Sequence, residues 1–234
     1  MRVALTVDVE PDCPPYLTSF RGIDEGLPRL LTVLEEAGVS ATFFVTGEVA
    51  RRSPEMVRRL VTEGHELGCH GDTHRNFARL NPAEARREIQ TASATLRQFG
   101  PVTSFRAPFL NFPERYLEFL SEEAYAVDSS TARYKWPFLS QVVGGRLARI
   151  PVSTTSSTLR LPPWLRDRVL RRLASPVVLF VHPWEFCDFR GDRRLRLDCR
   201  FKTGEGAVQA VHQTIALFQR RDVTFHRLTE LVGS

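Results

Sequence analysis

Apolar positions along the chain fall into short runs that read as strands and longer runs with a helical period, and the two kinds alternate. Residues 2–8 alternate and end in Asp8-Val9-Glu10, after which Pro11 discourages further regular structure. A loop with Pro14, Pro15 and Tyr16 follows. A helix is predicted from about Asp24 to Ala37, with Leu27, Leu30, Leu31 and Leu34 on one side and Gly38 ending it. Residues 41–45 read as a buried strand, Ser53-Pro54 opens a helix through Leu60 and Val61, and residues 66–69 read as a third strand. The unit repeats: helix 82–99, strand 102–105, helix 113–122, strand 125–127, and an extended piece at 149–152. Residues 177–181 form the most hydrophobic strand, followed by helix 204–220, a last strand at 223–225 and a short helix from Leu228. Such alternation predicts an α/β fold with a parallel sheet, open or closed into a barrel. No Ser/Gly tract, charged tail or repeat interrupts it, so the expectation is one domain over residues 1–234.

The strand ends carry the chemistry. Asp8, His70, Arg106, Asp128 and His182 each stand at or just after the C-terminal end of a predicted strand. In parallel α/β architectures that edge is where ligands and catalysis sit. Each residue has a plainer reading: a surface ion pair for Arg106, a helix cap for Asp128, a packed core histidine for His182. Five at one edge weigh against coincidence. His70 and His74 are spaced i, i+4, so one helical turn places both imidazoles on one face, where they can supply two ligands to zinc or a first-row neighbour. The alternative for the pair is one cap and one packed or solvated ring.

Composition narrows the picture. A hydrophobic fraction of 42% supports a sizeable core, and no apolar run approaches the roughly 20 residues of a membrane span. The first residues lack a signal-type apolar region and cleavage site, so a cytoplasmic protein is expected. The four cysteines form no CxxC pair; free thiols are expected, with a Cys187–Cys199 bridge as the alternative. Net charge is +5, carried by arginine, with Lys135 and Lys202 the only lysines. That surplus suits an anionic partner, but no nucleic-acid motif accompanies it, and a solvated arginine-rich surface is the simpler account.

Taken in order, the strand-end motifs resemble those of the NodB-homology polysaccharide deacetylases, carbohydrate esterase family 4, over about residues 2–185. Thr6 to Glu10 resembles the first motif, His70 to His74 the second, Arg106-Ala107-Pro108 the third and Leu179 to His182 the fifth, while Asp128-Ser129-Ser130 sits where the fourth lies. The resemblance implies a distorted (β/α) barrel of about seven parallel strands with one divalent metal at its mouth, zinc first and cobalt, nickel or manganese as alternatives. Two departures stand out. Val9 occupies the position of a usual ligand, which leaves Glu10 as the third ligand beside His70 and His74, with Asp12 in reserve. Gly71 replaces the usual hydroxyl after the first histidine, and Thr73 is the residue placed to substitute for it.

Carried over residue by residue, the resemblance implies metal-assisted removal of an N-acyl group, acetyl or formyl, from a sugar. Asp8 is the general base, Arg106 orients it, His182 protonates the leaving amine, and Asp128 keeps that histidine charged. The Asp8-Val9-Glu10 opening looks closer to the branch that acts on polyprenyl-linked sugars. A helix drawn over residues 164–173 has Leu165, Val169, Leu170 and Leu173 on one face and Arg168, Arg171 and Arg172 on the other. It suits peripheral contact with an anionic inner-membrane surface, or ordinary packing on the barrel. Hydrolysis of non-sugar amides and a non-catalytic sugar-binding barrel are the rival readings.

Overall fold

In the computed structural model, which describes residues 1–135, 147–221 and 223–232, the alternation becomes one sheet of seven strands. These are β1 (Val3–Val9), β2 (Thr42–Val45), β3 (Glu66–Cys69), β4 (Ser104–Phe105), β5 (Val127–Asp128), β6 (Ala148–Arg149) and β7 (Val177–Val181). Their spatial order is β6-β5-β4-β3-β2-β1-β7 and every pairing is parallel. All seven C-terminal ends therefore share one edge. The open seam between β6 and β7 is nearly closed by Ser153, whose N–H donates to Val178 O at 2.8 Å while its hydroxyl accepts from Val178 N at 3.0 Å. The result is the distorted barrel expected.

The strand period separates two layers. On β1, Val3, Leu5, Val7 and Val9 join the main core with the helices Leu27–Glu36, Pro54–Thr62, Pro82–Leu96 and Glu205–Gln219. Ala4 belongs to a second cluster with Phe44, Val127, Val178 and Phe180, which Leu228 and Leu231 of the C-terminal turn complete. Thr6 and Asp8 share Ala4's side of the strand by the same alternation. A single turn of period thus aims the first motif inward.

Several boundaries move. The first helix begins with a π-turn (Gly22–Gly26) before Leu27–Glu36, and helix 82–99 stops at Leu96. A six-residue helix, Gly47–Arg52, was not legible, being too short to show a period; Thr46 caps it by accepting from Val49 N. The last strand reduces to one bridge, Val3 to Phe225. The helix drawn over 164–173 spans Pro163–Leu170, with Leu170 and Arg166 buried and Trp164 73% exposed. Among the described residues no helix is long and apolar enough to cross a membrane.

Candidate active site and metal centre

Glu10 lies one residue beyond β1 and keeps the inward parity of Asp8. His70 leaves β3 at the same edge, two strands from β1. Residues 70–74 are not a helical turn, contrary to the expectation. Gly71 at φ 76° and His74 at φ 55° fold the loop back on itself instead. A Cβ at Gly71 would sit 3.4 Å from the Phe77 ring, and its φ is one that side chains rarely adopt. The outcome is the one the spacing pointed to: His70 Nε2 and His74 Nε2 lie 3.2 and 2.6 Å from Glu10 Oε2.

Three ligand atoms from Glu10, His70 and His74 thus fall within 4.8 Å of one another. His70 Nδ1 donates to the Arg106 carbonyl at 2.8 Å, which leaves the Nε2 lone pair facing the cluster. Burial alone would raise the Glu10 carboxyl, but the His74 and His182 imidazoles and the bonds from His70 and His74 hold it well below the usual carboxylate range. A buried carboxylate kept ionised between two imidazoles fits a divalent cation of the zinc type, with positions left for water and substrate. Asp12 is not in reserve. Its carboxylate accepts from Ser19 Oγ (2.7 Å), Arg21 N (2.8 Å) and Gly22 N (2.7 Å), and so shapes the loop ahead of the first helix.

The ligand loop is held by Glu88, a buried carboxylate on the helix Pro82–Leu96. Its Oε2 accepts from the Asp72 and Thr73 N–H groups, each at 3.0 Å, and its Oε1 accepts from Thr73 Oγ1 at 2.6 Å. Asp72 is clamped in turn by Arg51 at 2.6 Å. The hydroxyl in this loop is thus that of Thr73, and it is held by a carboxylate the sequence did not point to. Glu88→Gln is expected to lower metal affinity about 10–100-fold, read by competition with a chelator; unchanged affinity would mean that the loop holds its shape alone.

Asp8 Oδ1 accepts from Arg106 Nη1 at 2.7 Å. Arg106 is fully buried, donates also to Thr6 Oγ1 (2.7 Å) and Ser129 Oγ (2.9 Å), and lies over the Phe44 ring at 4.3 Å. So many fixed contacts leave the guanidinium one orientation, and with it the Asp8 carboxylate.

The partner assigned to His182 needs correction. Asp128 accepts from Arg149 Nε at 2.9 Å and from the N–H and hydroxyl of Ser130, and so organises the floor under Arg106. The carboxylate on His182 is Glu185: Oε1 lies 2.7 Å from Nδ1, and Arg160 Nε stands 2.9 Å from Oε2 as an ion pair. A short 3₁₀ turn, Pro183–Phe186, curls Glu185 back onto the histidine three residues earlier. The signal available in the sequence was this spacing in His182-Pro183-Trp184-Glu185. Burial acts to lower the His182 pKa, but Glu10 and Glu185 together outweigh it and lift it to about 9. Trp184 was also missed; its ring stacks on His182 at 4.8 Å and its Nε1 donates to Glu10 Oε1 at 3.4 Å.

These groups open into a cleft of about 220 Å³ whose walls include Phe109, Leu110, Tyr134 and Trp184. Phe109 and Leu110 hold left-handed backbone (φ 61° and 49°), and Lys135 Nζ pins that turn by donating to both carbonyls at 2.7 and 3.2 Å. An aromatic, partly exposed rim thus surrounds a polar floor.

Known proteins resemble this chain to differing extents. A chitooligosaccharide deacetylase from Bradyrhizobium sp. is 42% identical over 110 residues, 46% of this chain and 45% of that protein. A peptidoglycan-N-acetylglucosamine deacetylase from Bacillus cereus is 34% identical over 127 residues, 53% of this chain and 42% of its own length. The matched region thus spans less than half of either relative. A solved CE4 family pseudoenzyme from Bacillus anthracis superposes with a TM-score of 0.68 at 18% identity, covering 99% of this chain and 65% of that one; the likeness concerns the fold. The polysaccharide deacetylase family model matches residues 1–127, more than half of the 234 residues, and with it the chain belongs to the polysaccharide deacetylase family.

Proposed function

We propose that this chain is a metal-dependent N-deacylase of amino sugars, acting on an N-acetylated saccharide. The observation that carries this reading is the convergence, in one cleft, of a Glu10/His70/His74 donor set with Asp8 and His182. The metal, when bound, supplies a Lewis acid for an amide carbonyl and for water. Asp8, held by Arg106 through Oδ1, takes the proton from the attacking water. His182, held protonated by Glu185, gives a proton to the departing nitrogen, without which an amide nitrogen is not expelled. The two proton-handling groups are tied to separate neighbours, Arg106 for one and Glu185 with Arg160 for the other, so each is oriented independently. The aromatic rim would seat the sugar ring.

Two experiments test this. Metal content should approach one divalent ion per chain and fall in His70→Ala, His74→Ala and Glu10→Ala. Full occupancy in both histidine variants would end the metal reading. A panel of N-acetyl and N-formyl sugars beside simple amides should show turnover of the sugars; turnover of the amides alone would favour the non-sugar hydrolase, and none at all the binding barrel.

A finer reading places the sugar on a lipid carrier at an anionic membrane face in the cytoplasm. The exposed Trp164 beside exposed Arg168, Arg171 and Arg172 supports it. Sedimentation with anionic vesicles that Trp164→Ala does not weaken would count against it.

A further inference from the structure

Cysteines 13 and 199 take no part in the chemistry above, yet both line the wall of the same cleft. They stand 186 positions apart in sequence, and neither was linked to the other by spacing. Cys199 packs against the apolar cluster that holds Cys13, and each thiol shifts the other's pKa, Cys13 upward and Cys199 downward. The bridge weighed from the sequence, Cys187 to Cys199, is not the pairing found: all four cysteines are free, and Cys187 Sγ instead donates to the Arg21 carbonyl at 3.3 Å.

The surroundings of the pair differ from those of a packed core thiol. Cys13 is buried in a small apolar cluster with Leu17, Trp184, Phe189 and Leu195, whereas Cys199 only packs against that cluster and is partly exposed. Cys13 holds left-handed backbone at φ 45°. Cys199 sits in the short turn Leu197–Arg200, which is clamped by Arg160 through the Asp198 carbonyl at 2.8 Å and the Phe201 carbonyl. The same Arg160 faces Glu185, the partner of His182. On the other side, Cys13 lies three residues beyond Glu10. The two cysteines therefore lie where the strand end bearing a ligand faces the turn that backs the acid.

We propose that Cys13 and Cys199 form a reversible disulfide across the mouth of the cleft, and that the bridged enzyme turns over its saccharide more slowly. A peroxide is the oxidant. The exposed Cys199 thiolate attacks hydrogen peroxide: an S–O bond forms, the O–O bond breaks and hydroxide leaves. Cys13 then attacks the Cys199 sulfenic sulfur, an S–S bond forms, the S–O bond breaks, and water carries away the Cys13 proton. Two thiols and one peroxide thus give one disulfide and two waters. Cys199 is the partly exposed thiol and Cys13 the buried one, which fits Cys199 as the first nucleophile and Cys13 as the resolving partner. An S–S bond of about 2.0 Å draws the two walls closer than two separate thiols allow.

The bridge itself does not depend on the deacetylase reading; only its effect on turnover does. Treat the metal-loaded protein with hydrogen peroxide, block free thiols and digest with trypsin without reduction. The expected result is a joined pair of pieces, residues 3–21 with residues 197–200, that dithiothreitol separates. Cys187→Ser should keep the pair, and Cys13→Ser and Cys199→Ser should each abolish it. A link from residues 173–190, a link between chains, or sulfinic acid with no bridge would overturn the proposal. In the activity arm, kcat/KM on an N-acetyl sugar should fall at least tenfold in the bridged protein and return with dithiothreitol. A bridged protein within twofold of the reduced one would remove the gating role while the mapped bond stood.

Discussion

His182→Ala is expected to slow hydrolysis of an N-acetyl sugar by about 10²–10⁴-fold, the usual cost of losing a positioned acid, and to slow hydrolysis of an aryl acetate far less. An amine leaves only after it gains a proton, whereas a phenolate leaves unaided. Equal losses on both substrates would point to damaged packing around Trp184, which stacks on the same ring. The sign of the pH dependence follows from the environment of His182. Its pKa is raised to about 9, so the acid form is present at neutral pH and is lost as pH rises through that value. Glu10 and Glu185 both contribute, after burial has pulled the other way. A cation held by Glu10 takes up that residue's share, so the alkaline limb of the metal-loaded enzyme should lie below 9, with Glu185 as its remaining support. Glu185→Gln keeps the shape of the contact and removes the charge, and should move the alkaline limb to lower pH with the metal retained. An unmoved limb would show that Glu185 does not set the protonation of His182.

Asp8→Asn is expected to keep the metal and lose about 10²–10⁴ in kcat, with little change in substrate binding. The amide cannot take a proton from water, and it preserves an oxygen for the Arg106 bond now made at 2.7 Å. Arg106→Met should also reduce activity, but through the fold as well, because removing one member of a buried charge pair costs about 3–5 kcal/mol. Comparing the two separates orientation from support: each variant removes one charge of the pair and should lower the thermal melt, but Asp8→Asn keeps the Arg106 bonds to Thr6 and Ser129, so its drop should be the smaller. Activity of Asp8→Asn near the unsubstituted level would make Asp8 structural.

How much of this was legible beforehand depends on the range of the interaction concerned. Val3 to Val9 and Val177 to Val181 declare themselves as strands because burial and pleat impose a local pattern on neighbouring side chains. Gly47–Arg52, too short for a period, does not. Asp8, His70, Arg106, Asp128 and His182 were legible as one edge because a parallel sheet sends every strand end there, His74 by its spacing from His70, and Glu10 as a ligand by the family resemblance. The turn conformation of residues 70–74 was not: the left-handed φ at His74 is imposed by Glu88 and Phe109 packed around the loop.

The sequence by itself determined the α/β alternation, the edge at which chemistry gathers and the residue types present there. Only the tertiary structure decided which of them touch. Asp128 and Glu185 are both carboxylates near a strand end, and the i, i+3 spacing from His182 to Glu185 was the one local hint as to which of them pairs with it. The choice was made by Arg149, which engages Asp128 two strands away from the strand that leads to His70, and by the turn after β7, which curls Glu185 back onto the imidazole. Glu88, Arg160 and the approach of Cys13 to Cys199 belong to the same class. Charge pairing and thiol contact act over a few ångströms in space, and residues far apart in the chain come within that range only when the barrel has closed.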